Sequence, residues 1–296
     1  MCRTACASLL VLLSLPLQAQ HLSTHPTVTA VAGIRLFAAN LENSREFYGK
    51  TLGLRECSSK AALCFQVSAV QKIELESLGQ DNRPDRLVFV AFETRDVATL
   101  LEHMITKGVQ STDEITRVGG TKVLDAYDPD GHVVEFVEHL SPMATRIVSP
   151  VQVSSSIIHV GFVVQNRTAM DHFYKDILGF HVYWHGGRKD DETSWVDMQV
   201  PDGTDWLEYM LNVPPDADHK RLGVMNHIAL GVPDIHAAEA QLRKNGWNGS
   251  EQPKIGRDGK WQLNLYDPDG TRVELMEFTP SQQPCCAPYT GPHPKP

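Results

Sequence analysis

Short apolar runs alternate with turn signals and brief helical stretches along this chain, and the pattern repeats. Glu46-Phe47-Tyr48-Gly49-Lys50-Thr51-Leu52-Gly53-Leu54 returns as His172-Phe173-Tyr174-Lys175-Asp176-Ile177-Leu178-Gly179-Phe180, with the Phe-Tyr pair, the Leu-Gly pair and their spacing kept. Ala126-Tyr127-Asp128-Pro129-Asp130-Gly131-His132-Val133-Val134-Glu135 returns as Leu265-Tyr266-Asp267-Pro268-Asp269-Gly270-Thr271-Arg272-Val273-Glu274. Asp-Pro-Asp-Gly is a tight-turn signal, and the alternating residues on either side read as strands.

Each half of the chain divides again. The first module of each half reads as a strand, a helix opening near Asn43 or Thr168, a Leu-Gly stop and further strands. The helix from Ser44 to Leu52 puts Phe47, Tyr48 and Leu52 on one face, and Gly53 suits its C-cap. The second module has its helix at Val97 to Lys107 before Gly108, or Ile235 to Asn245 before Gly246, and ends in the Asp-Pro-Asp-Gly hairpin. The pattern predicts four strand-helix-strand-strand-strand modules. They fall into an N-terminal pair over 28–140, a linker over 141–155 rich in Ser, Pro and Val, a C-terminal pair over 156–279 and a Pro-rich tail over 280–296.

The first 20 residues stand outside this pattern. Arg3, the leucine-rich run from Ala7 to Leu17 and a small residue at Ala19 read as a secretory signal peptide, the alternative being a buried N-terminal helix. The run is too short for a membrane span, which takes roughly 20 residues. Export to the periplasm or the outside follows, with no membrane attachment after cleavage. Of the other cysteines, Cys57 and Cys64 flank a hairpin from Glu56 to Phe65; they form either a disulfide across it or two thiols. Cys285-Cys286 stays unassigned, because adjacent cysteines bridge each other only with strain. A net charge of −9 argues against nucleic acid as a partner, since such partners call for a basic face.

The candidate chemistry lies in the second half. His159, Glu208, His227 and Glu274 each sit inside a short, mostly apolar run at matching points of the repeat. Two imidazoles and two carboxylates suffice for one divalent transition metal, and Ni, Zn, Fe, Co and Mn all accept such a set. A lone strand histidine is usually a core or surface residue, but a glutamate in an apolar strand needs a partner or an ion. The first half has Gly33 and Phe89 at the histidine points, with Glu74 and Glu135 at the glutamate points. Two carboxylates without imidazoles make a poor transition-metal site, so the first half reads as structural or pocket-closing. The five tryptophans, Trp184, Trp195, Trp206, Trp247 and Trp261, all fall in the second half, and Trp206 shares a strand face with Glu208. At least three of them are expected in the core, the remainder forming the aromatic walls of a small-molecule site. The loop His185-Gly186-Gly187-Arg188-Lys189 reads either as a plain surface loop or as a holder for an anionic substrate.

The module pattern, the Phe-Tyr…Leu-Gly helix, His227-Ile228-Ala229-Leu230 and Asp-Pro-Asp-Gly-x-x-Val-Glu together resemble the vicinal oxygen chelate superfamily. That group holds glyoxalase I, extradiol dioxygenases and bleomycin-binding proteins, and the resemblance covers nearly all of residues 28 to 279. It implies an α+β fold of four βαβββ modules paired into two cup-shaped mixed sheets. It implies metal ligation by His159, Glu208, His227 and Glu274, the order found in bacterial-type glyoxalase I, with Glu208 or Glu274 moving a proton. The partner implied is a small molecule with adjacent oxygens. An isomerase or lyase of glyoxalase type is one expectation. A ring-cleaving extradiol dioxygenase using His159, His227 and Glu274 is the second, although such enzymes usually carry tyrosine where this chain has Asn264. A binding protein without catalysis is the third.

Overall fold

The computed structural model describes residues 25–59, 62–112, 114–141 and 149–296; the expected signal peptide and residues 142–148 of the expected linker lie outside them. Two sheets of eight strands each carry the fold. The first holds β1 (Ala30–Ala38), β2 (Arg55–Cys57), β3 (Leu63–Gln66), β4 (Lys72–Ser77), β5 (Leu87–Glu93), β6 (Thr116–Val118), β7 (Thr121–Tyr127) and β8 (Val133–His139), in the order β2-β3-β4-β1-β5-β8-β7-β6. The second holds β9 (Ile157–Val163), β10 (His181–Gly186), β11 (Trp195–Gln199), β12 (Trp206–Met210), β13 (His227–Val232), β14 (Lys254–Ile255), β15 (Trp261–Tyr266) and β16 (Arg272–Glu277), in the same order, β10-β11-β12-β9-β13-β16-β15-β14. Each sheet is two βαβββ modules. Parallel pairs (β1 with β4, β5 with β8, β9 with β12, β13 with β16) lie within modules, and an antiparallel seam (β1 with β5, β9 with β13) joins them.

The second-module helices start at Val97 and Ile235 as the pattern predicts, but the first-module helices open earlier. The first helical segment runs from Leu41 to Arg45 and continues with π-type winding over Glu46–Thr51. Its cap is Asn40, not Asn43: the Asn40 side chain accepts the backbone N–H groups of Glu42 and Asn43. In the second half Asn166 caps the helix, two residues ahead of Thr168. An asparagine oxygen three residues upstream outcompetes a later start because it satisfies otherwise free helix donors. Cys57 and Cys64 face each other across the β2–β3 hairpin and are joined by a disulfide. Cys285 and Cys286 also stand as a bonded pair.

The repeated Asp-Pro-Asp-Gly turn does more than reverse the chain. Asp267 Oδ1 accepts the N–H groups of Asp269 (2.9 Å) and Thr271 (2.8 Å), which shapes the turn, and its Oδ2 accepts the Tyr48 hydroxyl of the other half at 2.9 Å. The copy repeats this: Asp128 Oδ1 accepts Asp130 N (3.1 Å) and His132 N (2.9 Å), and Oδ2 accepts the Tyr174 hydroxyl at 3.3 Å. Asp269 accepts Ala39 N and Asp130 accepts Gln165 N, again across the halves. The two most conspicuous repeats of the sequence, Phe-Tyr and Asp-Pro-Asp-Gly, thus meet each other and fasten one sheet to the other.

Candidate metal centre

Four neighbouring strands in the middle of the second sheet, β12-β9-β13-β16, supply one candidate ligand each. The register aligns them. Trp206 pairs with His159 and Glu208 with Gly161; His227 pairs with Gly161 and Ala229 with His159; Ala229 pairs with Glu274. Alternation sends all four side chains to one face of the sheet. His159 Nε2 lies 3.0 Å from His227 Nε2, 3.8 Å from Glu208 Oε2 and 3.9 Å from Glu274 Oε2. His227 Nε2 lies 2.9 Å from Glu208 Oε2 and 3.9 Å from Glu274 Oε2. Ligand atoms of His159, Glu208 and His227 all fall within 4.8 Å of one another.

The donors fit a cation. His227 Nδ1–H donates to the Met225 carbonyl at 2.8 Å, which makes Nε2 the lone-pair nitrogen facing the cluster, where it accepts from Arg272 Nη2 at 2.7 Å. Burial pushes both imidazoles well below their ordinary value, and Arg272 pushes His227 further, so both rings are neutral. Burial also raises Glu208 and Glu274 to about 7 against the opposing pull of Arg272. Glu208 Oε2 has no hydrogen-bond partner. Neutral imidazoles and under-compensated carboxylates converging on one point are what a divalent ion stabilises. The sequence also makes room: a methyl group on Gly161 would lie 2.1 Å from His227 Cε1, so only glycine lets that ring cross β9.

A pocket of about 300 Å³ opens on this cluster. Its walls include Trp184, Trp195 and Trp206, with Asp197, Asp258, Gln262 and Asn264 as polar groups and Lys254, Arg257 and Arg272 as cations. Three of the five tryptophans therefore line the pocket, more than the sequence reading assigned to it. Trp206 touches the His159 ring at 4.7 Å. Trp247 stacks under Arg243 and Trp261 meets His236, both away from the pocket. The His185–Lys189 loop supplies no charged lining group, and the cations come from β14, β16 and Arg257. Arg272 was legible in principle, since it stands two residues before Glu274 and so shares its face. Its Nη2 lies 2.7 Å from His227 Nε2, 3.7 Å from Glu208 and 3.8 Å from Glu274. Asp197, buried opposite Glu208 on β11, is pushed well above the carboxylate range by burial and then by Glu208.

The same points of the first sheet hold different chemistry. Phe89 pairs with Arg35 and Gly33 with Ala91, as His227 pairs with Gly161 and His159 with Ala229. Arg35 donates to Glu74 at 2.7 Å and lies over the Phe89 ring at 4.7 Å, and Lys72 reaches Glu74 at 3.0 Å.

Comparison with known proteins agrees with the fold. The model of the Glyoxalase/Bleomycin resistance protein/Dioxygenase superfamily matches residues 29–136 and 156–275, and the chain belongs to that family. It is 26% identical over 123 residues to a lactoylglutathione lyase of Haemophilus influenzae, a match that covers 41% of this chain and 91% of that protein. Among solved structures, homoprotocatechuate 2,3-dioxygenase from Brevibacterium fuscum superimposes with a TM-score of 0.65 at 19% identity, covering 86% of this chain and 82% of that one. The Mn(II)-bound glyoxalase from Novosphingobium aromaticivorans gives 0.67 at 17% identity, covering 85% and 83%.

Proposed function

We propose that the protein is an enzyme that uses one divalent transition metal, held by His159, Glu208, His227 and Glu274, to act on a small substrate with adjacent oxygens, in the manner of a glyoxalase I-type isomerase or lyase. One observation carries this reading: four donors from four adjacent strands converge beside a tryptophan-walled pocket. A bound ion supplies Lewis-acid polarisation of the substrate oxygens. His159 and His227 present neutral imidazole nitrogens, and Met225 fixes the His227 tautomer. Glu208 and Glu274 lie close enough to the same point to accept and return a proton on a neighbouring carbon. The tryptophans exclude water, and Lys254, Arg257 and Arg272 favour an anionic substrate.

An extradiol dioxygenase is the second reading. The tandem arrangement favours it, with one sheet lacking imidazoles and one holding the pair. Glu208 is surplus to that chemistry, and Asn264 occupies the point where tyrosine is usual. The deciding experiment is metal analysis of protein purified without added metal, followed by assays against methylglyoxal hemithioacetals and catechols. Nickel or zinc with aldehyde turnover supports the first reading; iron with catechol cleavage replaces it with the second. Export is part of the proposal and rests on residues 1–20, and the Cys57–Cys64 disulfide accords with an oxidising compartment. Protein from the native host should lack about its first 19 residues by mass, the length to the Ala19 cleavage site.

A further inference from the structure

Lys260 immediately precedes β15 and is fully buried, yet its ammonium has no hydrogen-bond partner. It rests over three aromatic rings, those of Trp206 at 4.5 Å, Tyr289 at 5.4 Å and Tyr183 at 5.5 Å. The C-terminal tail closes this cage. Cys285 N donates to the Arg257 carbonyl at 2.8 Å, the Tyr289 hydroxyl to the Asp258 carbonyl at 2.8 Å, and Thr290 N to the Tyr183 carbonyl at 3.0 Å. The strap lies beyond residue 275, where the family match stops. Burying a charge without a hydrogen-bond partner is costly; the three rings and the carboxyls of Asp258, Asp197 and Glu274 offset part of that cost, whereas a methionine would fill the same cage with no charge to bury.

The first sheet is an internal control. Asp125 pairs with Glu135 as Asn264 pairs with Glu274, so Thr121 stands where Lys260 does and Gly119 where Asp258 does. Cys64 pairs with Glu74 as Asp197 pairs with Glu208. Among the described residues, the buried lysine, both extra carboxyls and the strap therefore occur only with the sheet that has the histidines. Trp206 touches both Lys260 and the His159 ring, which connects the cage to the cluster.

We propose that Lys260 is a fixed positive charge behind the pocket wall, held against Trp206 by the C-terminal strap, which adds to the lining cations Lys254, Arg257 and Arg272 so that a ligand with adjacent oxygens binds as its anion. The proposal rests on the metal reading above. Lys260 is a positioning residue: it acts through Trp206 and across space. The groups that face it are Asp258 from its own loop, His159 of β9, Tyr183 of β10, Asp197 of β11, Glu274 of β16, and Tyr289 and His293 of the strap. Burial lowers its pKa to about 8 while Asp258, Asp197 and Glu274 pull it back up, so it is charged at neutral pH.

The test uses full-length protein loaded with Mn(II) and 4-nitrocatechol, whose colour reports its ionisation. Wild type should bind the probe as its anion. Lys260→Met should weaken binding on the order of tenfold and raise the pH midpoint of the bound probe by about one unit. Its Mn(II) content should not change, and its melting temperature should hold or rise. Tyr289→Phe keeps the ring but loses the bond to Asp258, and should shift the midpoint less, in the same direction. Unchanged affinity and midpoint in Lys260→Met would overturn the proposal, as would a fall in melting temperature that marks the lysine as structural. Wild type that takes up no Mn(II) refutes the metal reading instead. The affinity of the metal-free protein for the probe then still decides the role of Lys260, because a fixed charge acts with or without an ion.

Discussion

The two sheets of this protein share strand order, register and a pair of inward carboxylates, and they treat one matching pair, Glu74 and Glu208, in opposite ways. In the first, Arg35 and Lys72 bond to Glu74; burial alone would raise its pKa, but the two cations outweigh it and hold the carboxyl below its usual value. In the second, glycine replaces the arginine, imidazoles replace Gly33 and Phe89, and burial leaves Glu208 and Glu274 raised to about 7. Built-in cations neutralise Glu74, whereas Glu135 of the same sheet is raised to about 7, as Glu208 and Glu274 are in the second. A small set of residues on a common skeleton thus replaces an ion-paired carboxylate with a cluster of neutral imidazoles and carboxyls, which the metal proposed above would fill.

The hardest test of that contrast is metal content. His227→Ala should lower metal affinity by on the order of 100-fold or more and abolish activity, because an imidazole ligand is lost. Glu74→Ala and Glu135→Ala, at the matching points of the first sheet, should leave one equivalent bound. Gly161→Ala removes no ligand, yet its methyl group would strike the His227 ring, so it should behave like His227→Ala. Metal analysis and circular dichroism on all four variants read the outcome. Two equivalents in wild type, or full occupancy in Gly161→Ala, would end the distinction between the halves.

A smaller effect lies at the seam. Tyr48→Phe removes the 2.9 Å bond to Asp267 and leaves a buried carboxylate oxygen short of a donor, costing about 1–3 kcal/mol. Tyr174→Phe should cost less, about 1 kcal/mol, because its bond is longer, at 3.3 Å, and His132 still reaches Asp128 Oδ2 at 2.8 Å. Urea unfolding of both variants orders the two. Equal losses would show that the copies of the turn fasten the halves alike.

Much of this architecture was legible because it rests on local signals that repeat. The Phe-Tyr and Leu-Gly pairs and the Asp-Pro-Asp-Gly turn mark the four modules, and period-two alternation places His159, Glu208, His227 and Glu274 on strand faces. What the pattern did not carry was long-range. Tyr48 meeting Asp267 spans 219 residues, and no local rule pairs them. Arg35 interrupts the apolar run around Ile34 and Leu36, and Lys260 follows Arg257-Asp258-Gly259, which reads as a solvated turn rather than as a buried partner. The helix starts were expected near Asn43 and Thr168; Asn40 and Asn166 cap them instead, because in the folded backbone their side chains reach the free helix donors.

The finest test separates the two carboxylates of the first sheet. Glu135 is raised to about 7, chiefly by burial, with Asp125 and Glu74 adding to it and Lys72 and Arg35 opposing. The native state therefore holds a proton that the unfolded chain releases above its ordinary value of 4.5. Stability falls as pH rises from there to about 7, then levels off. Glu135→Gln removes that slope and should be more stable than wild type at pH 8 by on the order of 1 kcal/mol, while matching it near pH 4. Glu74 carries the opposite sign. Its lowered pKa contributes stability above the usual carboxylate range and loses it as pH falls through the folded value, so Glu74→Gln should be the less stable protein at pH 7. Urea unfolding at pH 4, 7 and 8 reads both variants. If their pH profiles run parallel to wild type, Arg35 and Lys72 do not divide the two carboxylates, and Glu74 is not the self-neutralised counterpart of Glu208.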